Sequence, residues 1–358
     1  MPFCWLSRHL PPTMRGMTAR LFRLPSRAST SGWVAARLAA VLLAVSPAAA
    51  FAAGWERVAD LPESNGGFAC ALIDGEIVIA GGTNWPGDVK RWLDKIWAYD
   101  VARGTWREAG RLETPAAYGA FDAGAGALWL AGGSGGAGGH PVLWRLGRGG
   151  ALTRVAAIQP RLVYASGAIL GDTLYAVGGA PDQARLDLLT NAFRAVDLRT
   201  GSSRKLADYP EAGFGIGTAV AGNDRIYVFG GARWDAPAGT VANLAAAHVY
   251  SPATGRWSDL PPLPVANRGI TAVRLDATHL LLAGGYRDEA TGFAAETYVF
   301  DLAANRYRAT VPLPYRAGNV GLVQAGEWLF AFGGEDRMKH RTAAMHRIRW
   351  GELLDVAR

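Results

Sequence analysis

The chain has 358 residues, half of them apolar and only 19% charged, with 46 Gly, 19 Pro, 13 Trp and 11 Tyr. That make-up favours one large repetitive domain of short strands, tight turns and interleaved aromatics over two or three ordinary domains. The formal charge of +7 includes six arginines from an acid-free stretch, residues 1–53; the rest holds 31 basic against 30 acidic residues, so a polyanion-binding function loses its main support.

Residues 1–53 read as a signal peptide. An Arg-containing start leads into the apolar run Trp33–Val45, then into small residues in which Ala48-Ala49-Ala50 and Ala50-Phe51-Ala52 both fit a signal-peptidase pattern. The apolar run is about 13 residues long and contains Arg37, whereas spanning a bilayer takes ~20. Cleavage is therefore expected over a membrane anchor. The protein is expected to be exported, to the periplasm, with no stable membrane insertion afterwards. Cys70 is then alone in the mature chain, in the alternating pattern FACALI of a buried strand.

From residue 54 onward the chain repeats. Gly-Gly doublets at Gly81-Gly82, Gly132-Gly133, Gly178-Gly179, Gly230-Gly231, Gly284-Gly285 and Gly333-Gly334 each close an apolar phrase, such as EIVIAGG, TLYAVGG and WLFAFGG. Turn signals precede these phrases, for example Asp74-Gly75 and Gly171-Asp172, and mark hairpins. Aromatic-bearing strands follow, as in IWAYDVARGTW and HVYSPATGRW. A period near 50 with a Gly pair and spaced aromatics is the kelch pattern of four strands per unit. One such sheet cannot bury both faces alone, so neighbours must pack radially.

The sequence therefore predicts an all-β, six-bladed kelch β-propeller over residues 54–358. After the last doublet only one clear strand remains, TAAMHRIRW, while the mature start GWERVADLP resembles the outermost strands GTWREAG and GRWSDLPPLP. Residues 54–62 are expected to close the ring by completing the sixth blade, with Gly66 to Trp106 forming the first.

In such blades the loops after each doublet and the connections between blades emerge on one face. That face gathers Asn84, Arg91, Tyr118, Arg161, Tyr164, Glu211, Arg233, Arg268, Arg287, Arg316, Glu335, Arg337 and Arg341. Guanidinium groups suit a carboxylate and aromatics suit sugar rings, so a small acidic carbohydrate is the expected ligand. The five mature His residues lack metal-ligand spacing, and neither a metal nor a cofactor is expected. GGSGGAGGH lacks the Lys-Ser/Thr and helix of a phosphate loop and reads as a flexible loop.

Three stretches carry a more specific resemblance: GGFACALIDGEIVIAGGTNWPGDVKRWLDKI, AAYGA around Tyr118, and GGEDRMKHRTAAMHRI. They resemble segments of the N-acetylneuraminate epimerase (sialic acid mutarotase) family, exported kelch propellers, and are most similar to its circularly permuted branch. The resemblance implies Glu335 and Arg341 as the catalytic pair; Asn84, Arg91, Tyr118, Arg287 and Arg316, from the shared face, are the candidate substrate contacts. EAGFGIG departs from the Pro-Arg-Asp-Gln segment of some family members, which leaves the exact sugar open. Two functions stay in play: a mutarotase of a sialic-acid-like sugar, and a non-catalytic exported propeller binding glycans or a protein partner. Glu335 could also be a solvated loop acid or an ion-pair partner of Arg337. Oligomeric state is not legible.

Overall fold

The computed structural model describes residues 54–357, so the signal-peptide assignment lies outside the described residues. Six four-stranded antiparallel sheets follow one another along the chain. Blade 1 comprises Ala69–Ile73, Glu76–Ala80, Lys95–Asp100 and Thr105–Arg111, and its inner strands begin the pattern that every later blade copies. The innermost strands of blades 2 to 6 are Ala120–Gly124, Ser166–Leu170, Thr218–Gly222, Thr271–Arg274 and Gly321–Ala325.

Strand alternation explains why these strands are apolar at nearly every position. In Glu76–Ala80, Ile77 and Ile79 join a buried cluster with Phe330 and Phe332 of blade 6. Val78 and Ala80 point the other way, into a cluster with Leu128, Leu130 and Trp144 of blade 2. Successive side chains on a strand face opposite sides, so a sheet packed on both faces needs both sets apolar. Six such clusters occur, one at each junction between neighbouring blades.

The glycine doublets stitch those junctions. The amide of each second glycine donates to a carbonyl of the next connection, at Ala116, Leu162, Phe214, Asn267, Ala317 and, across the closure, Asn65. Gly82 shows why no side chain is tolerated. It sits at φ +107°, and a Cβ there would stand 1.9 Å from Asn65 Oδ1.

Ring closure follows the expectation. Glu56–Arg57 pairs antiparallel with Met345–Arg349, with Glu56 opposite Arg347 and Arg57 opposite His346. The Val58 and Leu61 amides extend the contact by donating to Met345 and Ala343 carbonyls. Among the described residues, besides three single 3-10 turns, the departure from a purely β reading is the helix Trp350–Val356 after the last strand. Leu353 and Ala357 bury against blades 5 and 6, and the Leu353 carbonyl accepts from Thr310 Oγ1 at 2.5 Å. Seven residues are too few to show a helical period, so this segment carried no signal.

Candidate functional site

At one mouth of the propeller the same two backbone positions recur in all six blades. The first is the last residue of each connection: Gly66, Ala117, Val163, Gly215, Arg268 and Gly318. Each bridges to the residue just after a glycine doublet, respectively Thr83, Ser134, Ala180, Ala232, Tyr286 and Glu335. The second position follows at once: Gly67, Tyr118, Tyr164, Ile216, Gly269 and Asn319, all with positive φ. Amides of five of these donate to the carbonyl of the preceding one, at 2.7–3.0 Å, forming a peptide collar around the axis. The collar holds Tyr118, Tyr164 and Ile216 in a conformation that costs an L-residue about 1–2 kcal/mol.

Only two of the twelve bridge-forming residues are charged, Glu335 and Arg268. Glu335 Oε1 accepts from Arg341 Nη1 at 2.8 Å; the Arg341 side chain is 3% exposed and that of Glu335 25%. Arg341 also donates from Nη1 to the His340 carbonyl at 2.9 Å and from Nη2 to the Tyr118 hydroxyl at 3.2 Å. Thr83 Oγ1 donates to the Gly66 carbonyl and lies 3.1 Å from the Tyr118 hydroxyl, whose own proton is thereby turned toward Thr83. Burial opposes the charge on Arg341, but Tyr118 and Glu335 outweigh it and hold the guanidinium above its ordinary range. Burial pushes the Tyr164 phenol well up, with Tyr118 and Glu335 adding to the shift.

Two glycines make this packing feasible. A Cβ on Gly66 would lie 2.5 Å from Arg341 Cδ, and one on Gly67, at φ +74°, 2.3 Å from Tyr118 Cε1. Gly67→Ala is expected to destabilise the protein by ~2–4 kcal/mol, because it adds overpacking to backbone strain. Gly75→Ala, at φ +81° with open space around it, is expected to cost only ~1–2 kcal/mol. Urea unfolding of both variants checks the difference.

Beside the pair stands an aromatic wall. Trp92 meets Tyr118 edge-on at 5.9 Å, and Tyr118 lies 4.9 Å from Tyr164. Lys90 Nζ sits 4.2 Å from the Trp92 ring centre, 4.9 Å from Tyr118 and 5.9 Å from Trp85. The same ammonium donates to Gln183 Oε1 at 3.3 Å, so a blade 1 loop reaches over to blade 3. Lys90, Trp92 and Thr83 lie in the stretch GGFACALIDGEIVIAGGTNWPGDVKRWLDKI that carries the family resemblance, but the sequence did not mark them as ligand contacts.

The other expected contacts divide. Asn84 is buried in a small flap, paired with Arg91 of the return strand, and its Oδ1 has no partner. Arg91 is exposed and makes no bond to the Glu335 cluster. Arg287 is held by Glu296 at 2.9 Å, and Arg316 is exposed with Nη1 on the Phe293 carbonyl. Glu211 lies 3.5 Å from the imidazole of the buried His248. Of the residues expected on this face, Glu335, Arg341 and Tyr118 are in direct contact and Tyr164 packs on Tyr118, while Arg287 and Arg316 bond elsewhere. Arg337, offered as partner of Glu335, is exposed, and the ion-pair partner of Glu335 is Arg341. The GGSGGAGGH loop closes on itself, with Ser134 Oγ donating to the Gly138 carbonyl.

Below the collar runs a channel of about 700 Å³, lined by all six inner strands; Gly67, Tyr118, Tyr164, Ile216 and Asn319 border it, while Glu335 and Arg341 do not. Asp122 on its wall accepts the Ile169 amide at 2.7 Å, tying blade 2 to blade 3, and enclosure pushes its carboxyl up to about 6. Burial likewise pushes the Cys70 thiol up to about 12, which keeps it unreactive. Among the described residues no three His, Cys, Asp or Glu converge as a metal site would require, and no helix is long and apolar enough to cross a membrane.

Comparison with known proteins agrees with the architecture. The Kelch motif pattern matches residues 65–113 and 217–264, falling on blades 1 and 4. Kelch-like protein 40 of Mus musculus is 27% identical over 178 residues, 49% of this chain and 27% of its own length. Kelch-like protein terF of Aspergillus terreus is 28% identical over 203 residues, 54% of this chain and 43% of its own. Kelch-like protein 36 of Mus musculus is 33% identical over 107 residues, 29% of this chain and 16% of its own. The chain thus spans less than half the length of these relatives, and the likeness extends to the repeats.

Proposed function

We propose that this protein is an exported isomerase that accelerates exchange between the anomers of a small, sialic-acid-like acidic sugar. The observation that carries this reading is the convergence of Glu335, Arg341 and Tyr118, from blades 6 and 2, at 2.8 and 3.2 Å. Mutarotation needs a group that takes the anomeric hydroxyl proton while the ring carbon–oxygen bond breaks and the ring oxygen is protonated. Closure on the other face of the carbonyl reverses the transfer. Glu335 is a part-exposed carboxylate able to act as that acid/base, and the buried Arg341 beside it can stabilise charge on the opening ring. The aromatic wall of Trp92, Tyr118 and Tyr164 offers apolar faces to a sugar ring.

The test is one-dimensional proton NMR of freshly dissolved α-N-acetylneuraminate, with and without purified protein. Faster appearance of the β anomer with protein is the expected result. Coincident traces across a panel of acidic sugars would refute the isomerase. A second reading is a non-catalytic propeller that binds glycans or a protein partner, supported by the ion pair that already engages Glu335 with the buried Arg341. Saturation transfer to the sugars without turnover would support glycan binding.

A further inference from the structure

Arg268 breaks the pattern of its own repeat. Its five equivalents are Gly66, Ala117, Val163, Gly215 and Gly318, all small or apolar, because the position lies against the collar where blades crowd. A guanidinium there carries a desolvation cost, and burial indeed lowers the Arg268 pKa, with Tyr286 and Glu335 only partly offsetting it. No carboxylate lies within ion-pair distance of it among the described residues. The side chain is nonetheless fixed. Nη1 donates to Asn243 Oδ1 at 2.8 Å, and the guanidinium lies 4.3 Å from the centre of the Tyr286 ring. Asn243 is itself anchored, donating to the Tyr286 carbonyl at 2.8 Å and to that of Arg287. Among the described residues Nε and Nη2 make no hydrogen bond, and neither is one of the fully buried unpartnered polar atoms.

Arg341 is in the opposite condition. Glu335, the Tyr118 hydroxyl and the His340 carbonyl take up its two terminal nitrogens, and its Nε is buried. It has no free edge for a second carboxylate. Resting on the function proposed above, we infer that Arg268 holds the carboxylate of the acidic sugar through its Nε/Nη2 edge, while Arg341 serves Glu335. A planar fork matches a carboxylate with two parallel hydrogen bonds. The equivalent bridges Arg268–Tyr286 and Gly318–Glu335, in neighbouring blades, place the two at one mouth.

The experiment compares wild type, Arg268→Gln and Arg268→Lys on α-N-acetylneuraminate and on its methyl ester. Anomer exchange by NMR gives kcat and KM, and saturation transfer gives binding without turnover. Loss of a charge-assisted pair predicts a KM for the acid raised about 10–150-fold in Arg268→Gln, with kcat within about threefold. Arg268→Lys should recover part of the loss as a point charge. The ester should show the same KM with wild type and Arg268→Gln, which a merely structural role would not produce. Unchanged KM for the acid, or equal losses on acid and ester, overturns the assignment alone. Wild type that binds the acid without turnover overturns only the isomerase, and the ratio of binding constants then decides Arg268. Wild type that neither binds nor turns over either compound overturns both.

Discussion

Glu335→Gln is expected to slow protein-catalysed anomer exchange by about 10²–10⁴-fold, the usual contribution of a positioned acid/base. The amide keeps the size of the carboxylate and can still accept from Arg341 Nη1, but it cannot take the anomeric proton. The change also leaves a guanidinium that is 3% exposed without its counter-charge. Removing one partner of a buried ion pair costs ~3–5 kcal/mol. The cost here belongs at the low end, since Glu335 is a quarter exposed and the Tyr118 hydroxyl and His340 carbonyl still accept from Arg341. Stability and rate therefore have to be read together. A variant folded at the assay temperature, by urea unfolding, but at least a hundredfold slower supports the role of Glu335. A folded variant with wild-type rate would assign catalysis elsewhere.

Cutting the chain back to Asn65 is expected to abolish the stable closed ring, and single changes in the closing segment should grade that effect. Without residues 54–64, Met345–Arg349 becomes an open edge, and an unpaired edge strand invites aggregation. The segment also ties three blades together. Trp55 Nε1 donates to the Pro312 carbonyl, Trp106 Nε1 to that of Ala59, and Trp97 Nε1 to Glu63 Oε1. Leu61, 6% exposed, packs in the cluster between blades 6 and 1. Leu61→Ala is expected to cost ~2–5 kcal/mol. Val58→Pro, which deletes the bond to Met345, should cost ~1–3 kcal/mol. Urea midpoints measure both. A truncated chain that unfolds with the same midpoint as the intact one would show that the ring does not depend on closure.

Much of the site is legible in the sequence. Aligning the six connections places Arg268 of LPVANRG where the others carry Gly, Ala or Val, and Glu335 where others carry Thr, Ser, Ala or Tyr. A charge in a slot that the repeat keeps small or neutral is a signal available without coordinates. Lys90 and Trp92 carried no such signal. They lie in a flap whose path over the mouth depends on its own pairing, Thr83–Asn84 with Arg91–Trp92. The arginines on the same loops could not be sorted either: sequence reports that Arg287 and Arg316 share a face, not that Glu296 and the Phe293 carbonyl hold them.

The sequence by itself determined the number of blades, the strands of each and the closing segment. Those follow from local rules: period-two alternation, turn residues, and glycines where backbones must approach within hydrogen-bonding distance. Only the tertiary structure decided which charged side chains meet. Arg341 and Tyr118 are 223 residues apart, and their contact exists because closing the ring brings blade 6 beside blade 1 and sets Gly66 and Gly67 beneath both side chains. A long flexible side chain can reach many partners from one backbone position, so burial and competing acceptors, not spacing, select the one it keeps.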